Sequence, residues 1–259
     1  VLTSWGESHG SAIGGVLDGV PPNLLLSESD IQPFLDQRRP GQSLFTSPRS
    51  EKDKIQFLSG LFEGKTTGAP LAFLIANQDQ KSEPYETCRF LFRPGHADYT
   101  YHLKYGLRDP FGGGRASARE TAIRVVGGAV ARKILAHYLG EAVSLQGAVI
   151  QIGPHALSPS APAEAWDPDM ILTNPFYAPD PHIIPVWQRY LEEKKEAGVS
   201  AGAIIEVRAK GIPVGLGDPV YDKLDADLAK ALMSINAVKG VEIGEGFRSV
   251  EAETGYDEV

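Results

Sequence analysis

Apolar positions fall into short strand-like runs early in the chain and into helical spacings later. Val1-Leu2-Thr3 already lies inside a strand pattern, and residues 13–17 form a second apolar run before Pro21-Pro22. Ile55, Phe57, Ser59 and Leu61 alternate with Gln56, Leu58 and Gly60, which predicts one half-buried strand ending near Gly64. Leu71–Ala76 is continuously apolar and predicts a buried strand. Between these runs, Ile31, Phe34 and Leu35 sit at helical spacing, predicting a helix from about Glu28 or Asp30 to Gln37. Ser27 and Ser29 can both cap it. Pro33 favours Ser29, because it then falls near the first turn, where its missing N–H costs least.

The clearest helix follows Gly112-Gly113-Gly114. Ser117 and Glu120 have capping-box spacing, and Ala122, Val125, Val126, Ala129, Val130, Ile134 and Leu135 recur with helical period up to Gly140. Gly127-Gly128 weaken this helix by about 1 kcal/mol each, so close packing against another backbone is expected there. Residues 154–181, rich in Pro, Ala, Asp and Ser, read as an exposed loop. A helix with Trp187, Tyr190 and Leu191 on one face follows, then strands at 203–207 and near 241–243. A last helix carries Leu224, Leu228, Ala231, Leu232 and Ile235, with Asp222 as its expected cap. Strands and helices come in mixed order without strict alternation, which argues for an α+β layered domain.

Composition narrows the function. The 259 residues are 42% hydrophobic and 22% charged, enough for a sizeable core. Net charge is −8 with a pI near 5.3, so nucleic acid and anionic membranes are poor partners, and a local basic cluster would steer a small anion. Cys88 is the only cysteine, which rules out an intrachain disulfide and a cysteine-based zinc site and points to a reducing compartment. No apolar run approaches the length of a membrane span.

The chemistry concentrates between Arg93 and Arg124. The glycine triplet lets backbone approach a ligand closely and leads into a capped helix N-terminus, an anion-binding geometry to which Arg115 and Arg119 add two guanidinium forks. A plain loop with Arg119 on a solvated face is the competing reading. Arg124, four residues after Glu120, suits a helical ion pair as well as a ligand contact. Arg93-Pro94-Gly95 is a turn that delivers His96, either a proton carrier or a surface histidine. Gly6-Glu7-Ser8-His9-Gly10 resembles a nucleophile elbow, but no helix pattern follows it. His9 is better read as a second proton carrier or phosphate contact. Gly64-Lys65-Thr66 resembles the end of a P-loop, yet Ser59 stands where glycine is required and Pro70 interrupts the helix. The histidines show no metal-ligand spacing. Arg38-Arg39-Pro40-Gly41 closes the first helix, where cations suit the helix dipole and a ligand role is also open.

Taken together, these motifs resemble chorismate synthase. Gly6-Glu7-Ser8-His9-Gly10, Arg38-Arg39-Pro40-Gly41, Arg93-Pro94-Gly95-His96-Ala97-Asp98 and Gly112-Gly113-Gly114-Arg115-Ala116-Ser117-Ala118-Arg119-Glu120 stand in that family's order. Leu232-Met233-Ser234-Ile235-Asn236-Ala237-Val238-Lys239-Gly240-Val241-Glu242 is similar to its later signature. The resemblance implies a β-α-β sandwich with mainly antiparallel sheets, spread over 1–259 as a single domain. It implies a lyase that converts 5-enolpyruvylshikimate 3-phosphate to chorismate and phosphate by 1,4-anti elimination, the last step of the shikimate pathway. Reduced FMN is the implied cofactor, with an association with NADP, and the implied assembly is a homotetramer in the cytoplasm. By the same resemblance, His9 protonates the departing phosphate and His96 the reduced flavin. Ser8, Arg38, Arg39, Arg93 and Arg119 hold the substrate, and Arg115, Ala116, Ser117, Asn236 and Ala237 contact the flavin.

The departures are specific. Leu44 and Phe111 stand where relatives often have arginine, and Ala116 where they often have serine, so less positive charge is expected at the site. The family has a short start before Val1 and continues past Val259, carrying another glycine-rich flavin segment, a further arginine and an aspartate that removes the ring hydrogen. A protein ending at Val259 is therefore expected to bind FMN weakly and turn over little. The start inside a strand leaves room for a removed plastid-type targeting peptide. The alternative reading is a truncated or non-catalytic anion-binding homologue. A phosphatase fits poorly, for want of a nucleophile or metal set.

Overall fold

In a computed structural model of the chain, the described residues are 1–43, 45–46, 49–79, 83–87, 89–158 and 166–251. The chain divides into two compact units. The first comprises Val1–Glu28, Lys54–Gly127 and Pro213–Val259, and the second Ser29–Asp53 and Gly128–Ile212.

The first unit is built on a four-stranded antiparallel sheet of β1 (Leu2–Gly6), β2 (Ala12–Leu17), β3 (Ile55–Phe57) and β6 (Leu71–Ala76), in the order β1-β2-β6-β3. Period-two burial explains β6: Leu71, Phe73 and Ile75 are buried, while Ala72 and Leu74 are half-buried. A two-stranded hairpin of β4 (Leu61–Phe62) and β5 (Lys65–Thr66) lies beside the sheet in sequence. Buried Thr66 ties it down, accepting the Leu24 N–H at 2.9 Å and donating to the Pro21 carbonyl at 2.6 Å. Gly64-Lys65-Thr66 is thus a hairpin turn and not a phosphate loop. Helices α2 (Glu83–Glu86), α3 (Asp98–Tyr105) and α7 (Leu224–Met233) also belong here, with the first turns of α4 (Thr121–Leu139). At Gly15 a Cβ would lie 2.8 Å from Phe73 Cζ and 2.9 Å from Ile123 Cγ2, so this glycine lets sheet and helix close on each other.

The second unit holds α1 (Glu28–Arg38, but for its first residue), the rest of α4, and the antiparallel sheet β8-β7-β9 (His155–Ala156, Ser144–Ile152, Ala203–Lys210). Helices α5 (Pro168–Thr173) and α6 (Ile184–Glu196) complete it. Its core gathers Ile152, Phe176, Ala178 and Trp187, the last fully buried with its indole N–H donating to the His155 carbonyl at 2.8 Å. Every described strand pair is antiparallel, as the α+β reading expects. No helix among the described residues is long and apolar enough to cross a membrane.

Several local expectations change. The single strand from 55 is cut at Phe57, because Gly60 turns at φ +85 and the Ser59 hydroxyl takes over bonding to Ala72 N–H and the Pro70 carbonyl. Helix α1 begins at Glu28, so Ser27 and not Ser29 precedes it, and Pro33 sits inside the helix. The stretch 154–181 is no plain loop: Asp167 caps α5 by accepting the Asp169 N–H, and Ile171, Phe176 and Ala178 are buried. Residue 223 precedes α7 without a side-chain cap. Asp222 falls one residue early, its carbonyl accepting the Asp218 N–H at 2.7 Å. Residues 241–243 form no strand. No backbone among the described residues packs against the glycine pair: a Cβ on Gly127 would lie 3.1 Å from the side-chain atom Leu2 Cδ2, and Gly128 faces open space.

Candidate active site

The site lies in the first unit, where the β1–β2 turn meets the glycine triplet. Gly6 leaves β1 at φ +89, and a Cβ there would lie 2.3 Å from the Ala12 carbonyl oxygen. The chain turns through Glu7, whose carbonyl accepts the Gly10 N–H at 3.0 Å, and continues as strand β2, so no elbow helix follows. Ser8 is buried, and its N–H donates to the Gly114 carbonyl at 3.4 Å. Its hydroxyl donates to the Gly112 carbonyl at 3.3 Å and lies 2.9 Å from His9 Nδ1. Tyr85 of α2 meets the His9 ring edge to face at 5.1 Å.

All three glycines of the triplet have positive φ, at +62, +82 and +52. Gly112 is the critical one: a Cβ would stand 2.0 Å from His9 Cε1. Any other residue would displace the histidine as well as strain the backbone. Two 3₁₀ turns, Gly114–Ala116 and Ala118–Glu120, then lead into α4. Ser117 caps the second by accepting the Arg119 N–H at 3.3 Å. Glu120 does not complete the capping box. Its carboxylate takes Arg115 Nη1 at 2.8 Å instead, an ion pair that outweighs a neutral cap bond. Arg115 also donates to the Gly6 carbonyl and to Ser4 Oγ, at 2.9 and 2.7 Å. Its guanidinium thus fastens the triplet to β1.

Arg119 is buried at the start of this helix, with Nε donating to Asn77 Oδ1 at 2.6 Å. Arg93 faces the triplet from the other side, as a Cβ on Gly113 would lie 3.5 Å from its Nη2. Asp98 grips Arg93 through Nε and Nη2, both at 2.9 Å, and accepts its backbone N–H at 3.0 Å. Those side-chain hydrogen bonds hold the Asp98 carboxyl at a pKa of about 2 despite its burial, helped by the backbone bond and the charges of Arg93 and Arg108. His96 sits exposed on the same turn, its Nδ1 3.0 Å from the Pro94 carbonyl.

The flavin-associated positions converge. Asn236, just past α7, donates from Nδ2 to the Ala116 carbonyl at 3.0 Å, and Ala237 follows at φ +70. Asn236 Oδ1 is buried and has no hydrogen-bond partner among the described residues. Arg124 forms no ion pair with Glu120. It donates to Ser234 Oγ at 2.8 Å and the Ser234 carbonyl at 2.9 Å, securing the C-terminal end of α7. Phe111 is half-buried and its carbonyl accepts the Gly114 N–H at 3.3 Å. Arg38 and Arg39 stand in the second unit, where Arg38 pairs with fully buried Asp53 at 3.1 Å and Arg39 is exposed. Leu44 and Cys88 lie outside the described residues.

Sequence reading passed over Asn77 and Tyr85 and gave Asp98 no role. Asn77 could have been flagged as a polar residue directly after a buried strand, where side chains satisfy turn backbones. Tyr85 carries no local signal. Asp98, five residues after an arginine in a turn, is a natural ion-pair partner for it.

The chorismate synthase family model matches residues 1–257, across both units. The chorismate synthase of Gluconacetobacter diazotrophicus is 58% identical over 250 residues, covering 96% of this chain and 68% of that protein. That of Pelagibacter ubique is 54% identical over 260 residues, covering 100% of this chain and 71% of the relative. A solved crystal structure of chorismate synthase superposes with a TM-score of 0.79 at 34% identity, covering 97% of this chain and 70% of the other. Motifs, fold and relatives agree, and the chain belongs to the chorismate synthase family.

Proposed function

We propose that the protein is a lyase that turns 5-enolpyruvylshikimate 3-phosphate into chorismate and inorganic phosphate by 1,4-anti elimination. The allylic C–O bond breaks with its electron pair leaving on phosphate, a ring hydrogen is lost as a proton, and the second ring double bond forms. One observation carries this reading: His9, locked by Ser8, and buried Arg119 share a single hydrogen-bonded frame through Asn77.

The residues fit a flavin. Asn236 Oδ1 is a buried acceptor with no partner among the described residues, suited to a hydroxyl or N–H donor. Ala116, Ser117, Asn236 and Ala237 would hold the cofactor, with Arg115 fixing the Ala116-Ser117 segment to β1. When bound in its reduced form, FMN supplies electron density that eases C–O cleavage.

The chain's own residues handle charge and protons. Ser8 donates to the Gly112 carbonyl, so its oxygen accepts from His9 Nδ1–H. The proton at Nδ1 is therefore held in place, and Nε2 is the atom that gives a proton to the leaving phosphate. His96 repeats this arrangement. A carbonyl can only accept, so the Pro94 carbonyl fixes a proton on Nδ1 and leaves Nε2 as the exchanging atom. Arg119 and Arg93, each fixed in orientation by Asn77 and Asp98, bind the phosphate and carboxylates. Arg38 and Arg39 belong to the same reading, as do a single family domain over 1–259, a homotetramer and a cytoplasmic location.

His9→Ala and His96→Ala test the proton roles. Each is expected to lower kcat far more than it raises KM. Wild-type turnover in both variants would overturn the assignment.

A further inference from the structure

We infer that Asn77 is a positioning residue that sets His9 and Arg119 against each other. This rests on the proposed lyase reading, and its test separates the two.

Asn77 directly follows β6, the buried central strand, so its backbone is well anchored, and its N–H donates to the Ser11 carbonyl at 3.0 Å. Both ends of its carboxamide are in use. Nδ2 donates to the Glu7 carbonyl at 3.1 Å and the Gly10 carbonyl at 2.7 Å. These two carbonyls flank Ser8 and His9, so the bonds clamp the histidine turn at both ends. Oδ1 accepts Arg119 Nε at 2.6 Å. One planar amide therefore spans from the proposed proton donor to the proposed phosphate ligand.

Asparagine suits this task chemically. Two carbonyls need two donors and a guanidinium needs an acceptor, and a carboxamide offers two donors and an acceptor on one short side chain where a hydroxyl has a single donor. Aspartate keeps the acceptor but loses both donors and turns a negative oxygen toward two carbonyls. Glutamine keeps the groups but moves them by one methylene. Rotation about the Asn77 side chain would shift His9 and Arg119 together, which gives Asn77 leverage on the reaction without contact with the reacting atoms.

Two predictions separate positioning from general destabilisation. In steady-state assays, Asn77→Ala lowers kcat by about 10- to 100-fold, the scale of a misplacement near 1 Å. In a His9→Ala background the same change lowers kcat by less than about twofold, because the group it positions is gone. Asn77→Ala also raises KM, through the loosened Arg119, and in an Arg119→Ala background that rise disappears in the same way.

The second measurement needs no turnover. In proton NMR the His9 ring resonance of Asn77→Asp moves from its wild-type position, while that of His96 stays in place.

An equal kcat loss from Asn77→Ala with and without His9 overturns the inference. So does an unmoved His9 resonance in Asn77→Asp, which also decides the matter should the alanine variant not fold. Failure of the wild-type protein to form chorismate would instead remove the lyase reading, leaving the NMR result to judge the coupling.

Discussion

Asn236 and Ala116 are joined by a 3.0 Å hydrogen bond, although 120 residues separate them in the chain. The bond sets the turn after α7 directly on the 3₁₀ turn that follows the glycine triplet. Arg124 makes a second tether through Ser234, so the Asn236-Ala237 backbone is presented in one place. Two of the five positions that resemblance assigned to flavin, Ala116 and Asn236, are thus in direct contact. Asn236→Ala removes both the tether and the open Oδ1 acceptor. Titration of the variant with reduced FMN should show affinity weaker by about 5- to 10-fold, the worth of roughly one hydrogen bond. An unchanged dissociation constant would contradict this role.

Asp98 makes the protein acid-sensitive in a defined window. Its pKa falls from 3.8 to about 2 in the folded state, so the folded protein binds its proton more weakly than the unfolded chain does. The resulting stability is fully present above the unfolded value and is lost as pH falls through the folded one. Asp98→Asn should therefore flatten the dependence between pH 3.8 and 2. Urea unfolding across that range should show wild type losing on the order of 1 kcal/mol more than the variant. Parallel curves for the two would refute the linkage.

Gly112 and Gly113 allow a clean contrast. Both have positive φ, so alanine strains either backbone by about 1 kcal/mol or more. Only at Gly112 does the new Cβ meet His9, at 2.0 Å; at Gly113 the nearest atom is 3.5 Å away. Gly112→Ala should lose far more turnover than Gly113→Ala, and more thermal stability as well, because only it adds a clash to the backbone strain. Equal turnover in the two would show that the His9 contact has no catalytic consequence.

Among the described residues of the second unit the largest fully buried side chain is Trp187, bonded to the His155 carbonyl. Trp187→Ala should cost about 3–5 kcal/mol, read as a fall in denaturant midpoint. A loss below 1 kcal/mol would mean the cluster around Phe176 can close over the gap.

The sequence was most legible where period and punctuation agreed. The continuously apolar run Leu71–Ala76 is strand β6, and the helical period that starts after the triplet stops at Leu139, with Gly140 at φ +70 directly after it. Within the first unit the Gly6–Gly10 turn and the glycine triplet meet, Ser8 bonding to the Gly112 and Gly114 carbonyls, and the positive φ of Gly6 and of the triplet is a local property of the sequence. What stayed hidden was non-local. Nothing near Arg115 in sequence announces that Ser4 and Gly6 will occupy it, and nothing near Arg124 announces Ser234. Asn77 looks like any strand-end asparagine until the β1–β2 turn and the 3₁₀ turn before α4 close on it. Short-range competition explains the other misses: Glu120 left the capping box for Arg115, and Ser59 took over hydrogen bonds that a longer β3 would have used.

The full-length protein, incubated anaerobically with 5-enolpyruvylshikimate 3-phosphate and reduced FMN, should release chorismate, followed by its absorbance, and inorganic phosphate in equal amounts. Both should be absent when the flavin is left oxidised. No chorismate under reducing conditions, from protein shown to be folded, would contradict the account.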